Sequence, residues 1–154
     1  MTNIQWLRNL PWCIRYQLYK SISYLLRKAK QSKDKVLLEY VTTTLDKMAY
    51  GGIYDHVGGG FSRYSVDKKW HVPHFEKMLY DNGQLVSLYA DAYLKFKKPL
   101  YREVVFESLE FIERELTAEN GAFYWALDAD SEGEEGKFYV WNEAELKLFI
   151  REDF

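Results

Sequence analysis

Apolar residues recur along this chain at a helical period, and the places where that period fails divide it into elements. Ile14, Leu18, Ile22, Leu25 and Leu26 share one face, while Arg15, Lys20, Arg27 and Lys28 lie largely off it. This pattern predicts a helix over 13–29, ended by the polar run Gln31-Ser32-Lys33-Asp34, with residues 1–12 as an irregular N-terminal arm. Leu37, Leu38, Val41, Leu45 and Met48 form a second stripe at spacings of three and four. That helix is expected to stop at Gly51-Gly52 in a left-handed turn. From Gly51 to Val72 the period is lost, and the glycines at 58–60 mark a loop with a short irregular hairpin. Pro73 suits the first turn of a third helix running to Phe96, and Lys97-Lys98-Pro99 breaks the chain. Tyr101, Val105, Leu109, Ile112 and Leu116 form a fourth stripe, closed by Asn120-Gly121. Ala122–Leu127 then reads as a strand, Asp128–Gly136 as an acidic turn and Lys137–Trp141 as the returning strand. Asn142-Glu143-Ala144-Glu145 has capping-box form and opens a fifth helix.

The layout repeats: two helices, a glycine-led hairpin, two helices, a second glycine-led hairpin, then a helix. The hairpins open 70 positions apart, at Gly51 and Gly121. Such a layout belongs to a helical-hairpin toroid or solenoid, in which each unit needs neighbours to cover its apolar face. The expected fold is therefore all-α with short β-hairpins between helices, and residues 1–154 are expected to form an incomplete toroid domain. Exposed helix faces would then make the chain self-associate.

Composition adds one departure from an ordinary domain of 154 residues. Aromatic residues make up 18%, with 13 Tyr, and many lie in or beside the two hairpins, a distribution expected of a rim that meets a polar ligand. Charge is uneven: residues 1–35 carry eight Lys or Arg against Asp34 alone, whereas the chain as a whole has a net charge of −2. The basic residues alternate with an apolar stripe, so they read as a helix whose polar face meets an acidic neighbour; neither nucleic acid nor membrane is expected as a partner. The single cysteine, Cys13, excludes an internal disulfide framework. With no legible signal peptide and no membrane-length apolar run, a cytoplasmic location is expected.

The chemistry concentrates in Gly51–Asn82, which holds all three histidines with Asp55, Arg63, Glu76 and Asp81. Imidazole and carboxyl groups on a loop are the materials of acid–base catalysis near neutral pH. Several more specific signatures fail. His71, His74 and Glu76 lack the spacing of a metal-binding helix, and the glycines at 58–60 are not followed by a phosphate-loop Lys-Ser/Thr. Asp128, Asp130, Glu132 and Gly133 imitate the start of a calcium loop, but the twelfth position is Tyr139 rather than Glu. No metal and no cofactor is expected.

Two long blocks carry a family resemblance: DKMAYGGIYDHVGGGFSRYSVDKKWHVPHFEKMLYDN at 46–82 and GAFYWALDADSEGEEGKFYVW at 121–141. They closely resemble a family of thioredoxin-domain proteins that pair a thioredoxin-like domain with a helical toroid, and the match covers about residues 34–145. Ser62, Gly83 and Trp125 depart from that family's pattern, where His, Ala and a small residue are frequent. The resemblance implies an (α/α)6 toroid of the six-hairpin glycosidase kind, with the rest of the toroid and the thioredoxin-like domain outside this chain.

Together these readings lead to two function classes. In the first, the chain is part of a carbohydrate-active toroid protein. As an epimerase or isomerase, His74 would move a proton beside a carbonyl, Arg63 would stabilise the oxyanion, and Glu76 or Asp81 would orient the histidine. As a glycosidase, two of Asp55, Glu76, Asp81 and Asp130 would serve as acid and base. Tyr64, Trp70, Tyr80, Asn82, Asp128 and Asp130 are the expected sugar contacts, with Trp125 as a further stacking group. In the second class the toroid is a non-catalytic scaffold or client-binding module for a thioredoxin-like domain.

Overall fold

The computed structural model describes residues 18–150. The expected arm at 1–12, the helix start at 13 and Cys13 lie outside the described residues. The described part is mostly helical, with five helices: α1 (Leu18–Ser32), α2 (Lys35–Tyr50), α3 (Leu79–Phe96), α4 (Pro99–Glu115) and α5 (Glu143–Phe149). Three antiparallel ribbons accompany them: β1 (Tyr64–Ser65) with β2 (Pro73–His74), β3 (Lys77–Met78) with β4 (Ala126–Leu127), and β5 (Asp130–Ser131) with β6 (Glu134–Glu135).

Local chemistry sets most helix ends. Asp34 caps α2 by accepting from the Leu37 amide at 3.1 Å. Lys97 closes α3 in the left-handed region (φ 55°), and Pro99 then opens α4 at its first turn. At α5, Asn142 accepts from the Glu145 amide while Glu145 accepts from the Asn142 amide, the expected capping box.

Helices α1 to α4 enclose the core. Ile22 and Leu26 from α1 meet Val41, Leu45 and Met48 from α2, with Leu88 and Tyr89 from α3 and Tyr101 and Val104 from α4. Part of the aromatic excess is used here rather than on a rim. Phe61 stacks on Tyr89 with centroids 5.5 Å apart, and both rings are inaccessible. The phenol groups find partners: Tyr89 donates to the Leu45 carbonyl at 2.8 Å and Tyr101 to Asp46 at 2.7 Å.

Three expectations are corrected. Gly51 ends α2 in extended backbone (φ −83°, ψ 168°), not in a left-handed turn. The two glycines are there because the 70–71 backbone passes against them. The Gly52 amide donates to the Trp70 carbonyl at 2.6 Å, and a Cβ at Gly52 would overlap the His71 carbonyl oxygen. Gly52→Ala is therefore expected to displace that strand crossing and cost about 1–3 kcal/mol, read as a lower urea midpoint with an unchanged slope.

Secondly, the third helix begins at Leu79, not at Pro73. Residues 73–74 pair with β1 in the register Tyr64↔His74 and Ser65↔Pro73, and residues 77–78 pair with 126–127. A two-residue ribbon leaves an edge on which a proline without an N–H costs nothing. Thirdly, Ala126–Leu127 does not pair with Lys137–Trp141. It pairs with β3, and the Leu79 amide donates to the Trp125 carbonyl at 2.9 Å, so the second glycine-led segment docks on the first. The only strand pairing within that segment, among the described residues, is β5 with β6 across Glu132-Gly133. No described helix is long and apolar enough to cross a membrane.

Candidate functional site

Because residues 73–78 are extended rather than helical, His74 and Glu76 point to the same side of the chain; at helical spacing they would diverge. Arg63 enters from the neighbouring segment, with its amide donating to the Glu76 carbonyl at 2.8 Å. Its guanidinium then reaches the Glu76 carboxylate at 2.6 Å. His74 lies between two carboxylates, with Nε2 at 3.5 Å from Glu76 and Nδ1 at 2.6 Å from Glu135. The Tyr64 ring lies flat against the imidazole, centroids 4.9 Å apart at 21°.

Asp81 joins this group from the first turn of α3. It is only 8% exposed, and its Oδ2 has no hydrogen-bond partner. Burial pushes its pKa up to about 6; Arg63 pulls downward and the Glu76 charge adds to the rise. A small cavity of about 40 Å³ lies beside it, lined by Ser62, Arg63, Tyr64, Ser65, Trp70 and Leu85 among others. That space accommodates water; a sugar-sized ligand needs several hundred Å³, roughly 300 or more. The group is thus one buried carboxyl beside a half-buried Arg63–Glu76–His74 chain, of which Asp81 and Arg63 line the cavity.

The structure therefore brings together His74, Glu76, Asp81 and Arg63, with Tyr64 and Trp70 beside them. The other expected residues go elsewhere. Asp55 accepts from the amides of Val57 and Gly58 and from the Lys77 ammonium at 2.7 Å. Lys77 is 2% exposed, donates to the Gly59 carbonyl, and lies over the rings of Phe111 and Tyr139. Burial lowers the Lys77 pKa against the pull of Asp55. For Asp55, burial raises the carboxyl, but bonds from Lys77 and two backbone amides outweigh it and hold it below the usual range. This is a fold-holding ion pair, not a member of the His74 group.

Asn82 is equally committed. Its Oδ1 accepts from the Phe61 amide at 2.7 Å and its Nδ2 donates to the Phe61 and Met78 carbonyls, with no exposed surface left. It fastens the loop to α3, and its complete burial keeps it from the surface where a ligand would bind. Tyr80 faces solvent beside Asp81, and Trp125 is 72% exposed. Asp128 and Asp130 are exposed on the acidic turn, where the Asp128 carboxylate accepts from the Asp130 amide at 3.2 Å. Among the described residues no three His, Cys, Asp or Glu side chains converge as the ligands of a metal would.

Two residues of this region escaped the sequence reading. Glu135 sits in an acidic run that has no local signature, and its position 61 residues from His74 is set only by the docking of the second segment. Lys77 carries no local signature either, yet Pro73, Lys77 and Met78 are the buried positions of that stretch.

Sequence comparison gives relatives for most of the chain. No protein-family model matches it. Human spermatogenesis-associated protein 20 is 47% identical over 115 residues, which is 71% of this chain and 15% of that protein. The mouse protein of the same name is 46% identical over the same length. An uncharacterised protein of Caenorhabditis elegans is 38% identical over 131 residues, 79% of this chain and 18% of its own length. The chain thus spans less than a fifth of the length of the curated relatives it matches.

Proposed function

We infer that this chain corresponds to one segment of the spermatogenesis-associated protein 20 family, and propose that it supplies an acid–base site to a carbohydrate-active toroid protein. The observation that carries this reading is the buried Asp81 carboxyl, with its pKa pushed up to about 6, beside the ion-paired Arg63 and Glu76 and the half-buried His74. Carboxyls held in contrasting environments within one site are how acid and base roles are divided at neutral pH. In an isomerase, His74 takes the proton from the carbon beside the sugar carbonyl. The C–H electron pair moves to the carbonyl oxygen, which Arg63 and the protonated Asp81 stabilise, and the proton returns to the opposite face or the adjacent carbon. In a glycosidase, Asp81 gives its proton to the leaving oxygen while a second carboxylate acts on the anomeric carbon or on water.

A second reading rests on a different observation. The cavity is too small for a sugar ring, whereas Phe123, Trp125, Phe138 and Trp141 lie exposed on the second segment and on the approach to α5. An exposed aromatic surface suits a scaffold or client-binding module that works with a thioredoxin-like domain. Self-association of the chain through this surface belongs to the same reading.

Deuterium uptake from D₂O into aldoses and N-acyl hexosamines, and release of reducing ends from glycosides, separate the two. Both are measured on this protein and on full-length human spermatogenesis-associated protein 20. The carbohydrate reading expects one of the two signals, lost at least about 100-fold in His74→Ala and Glu76→Gln. If sugars neither bind nor turn over with either wild-type protein, the enzyme reading is abandoned and the binding module stands.

A further inference from the structure

The acidic segment does more than border the site. Glu135 Oε1 lies 2.6 Å from His74 Nδ1, and the next residues fix that approach independently. Gly136 has a positive φ of 75° and lies so close to the Phe75 ring that a Cβ would come within 2.5 Å of it. Its amide donates to the Ala129 carbonyl at 2.9 Å, and Tyr139 stacks on Phe75 with centroids 5.4 Å apart at 10°. The backbone at 136–139 is therefore clamped against Phe75, and it carries the half-exposed Glu135 side chain to the edge of His74.

We propose that Glu135 is the positioning residue for His74: it accepts the Nδ1–H and so holds the neutral imidazole with its Nε2 lone pair on the opposite edge, on the side of Glu76 and Arg63. Tyr64 on the ring face fixes the plane, and Arg63 engages the Glu76 carboxylate that Nε2 approaches at 3.5 Å. The charged and titratable groups in contact with the imidazole are thus Glu135 from β6, Glu76 from the segment between β2 and β3, and Tyr64 from β1. A carboxylate on one imidazole nitrogen sets which tautomer the other presents, and a base needs its free nitrogen facing the substrate. The proposal rests on the reading of His74 as the base.

The test is the tautomer itself, read from ¹⁵N–¹H correlation spectra of the imidazoles at about pH 9, well above the ordinary imidazole range of roughly 6.5. The full chain is used, with the His74 signals identified by their loss in His74→Ala. Wild type is expected to show Nδ1–H. Glu135→Ala is expected to switch the pattern to Nε2–H, Glu135→Gln to retain Nδ1–H through its amide oxygen, and Glu134→Ala, one residue earlier on the same strand, to leave it unchanged. An Nε2–H tautomer in wild type, or an Nδ1–H tautomer that survives Glu135→Ala, overturns the proposal, as does a switch in Glu134→Ala. The readout needs no substrate. Absence of sugar chemistry with these spectra intact removes only the carbohydrate reading, and sugar chemistry with an unmoved tautomer removes only the role of Glu135.

Discussion

Asp81→Asn is expected to make the folded protein more stable at pH 7.5, by about 1–3 kcal/mol, and to abolish any acid–base turnover. The carboxyl is 8% exposed and has an oxygen with no partner, so burial disfavours its charged form and its pKa is raised from 3.8 to about 6. A shift of that size corresponds to roughly 3 kcal/mol at full ionisation, an upper bound on what a neutral isostere recovers. The sign follows from the direction. A group whose folded pKa lies above its unfolded value contributes stability that is complete below pH 3.8 and is lost as pH rises through about 6. Wild type and Asp81→Asn should therefore unfold at the same urea concentration near pH 3.5 and separate progressively above it, with the variant the more stable. A variant that is equal or weaker at pH 7.5 would mean that Arg63 offsets the burial of the Asp81 carboxylate, and that its pKa is not raised.

Lys77→Met should have the opposite effect and a larger one, a loss of about 3–5 kcal/mol. The ammonium is the buried partner of Asp55, and no other cation stands within ion-pair distance of that carboxylate among the described residues. Methionine keeps the stem and its packing against Phe111, but leaves Asp55 with only the Val57 and Gly58 amides. The pH dependence again has a fixed sign. The Asp55 pKa is lowered in the folded protein, so its stabilisation is present above pH 3.8 and is lost as pH falls through the lower folded value. The gap between wild type and Lys77→Met should accordingly be widest above pH 5 and shrink towards pH 3. Lys77→Met combined with Asp55→Asn should recover part of the loss, which denaturant unfolding would show. Equal stability of wild type and the single variant would mean that the pair is a surface contact, contrary to its burial.

The elements that were legible from sequence are those fixed by local rules. Helix α2 and helix α4 follow from stripes at three and four spacing, and the Asn142 capping box needs only four consecutive residues. What escaped depends on contacts far apart in the chain. Pro73 is as acceptable in a helix's first turn as on a ribbon edge, and the pairing of residues 73–74 with 64–65 and of 77–78 with 126–127 decides between them. Gly51 and Gly52 do stop the helix, but in extended backbone rather than a left-handed turn, and their small size is needed where the Trp70–His71 backbone crosses. The candidate site divides in the same way. The density of His, Arg, Asp and Glu in 51–82 marked the region, and the extended backbone at 73–78 then sorted its members. Asp55 went to Lys77, Asn82 to the Phe61 backbone, and His74, Glu76, Arg63 and Asp81 remained together. Glu135 could only be found in three dimensions.

The central claim is that Asp81 is a buried acid poised next to the Arg63–Glu76–His74 face. Carbon-detected NMR of the Asp81 side-chain carboxyl, followed across pH in the full chain, reads this directly. The account predicts a titration midpoint of about 6. A midpoint at or below the ordinary aspartate value of about 3.9 would contradict it.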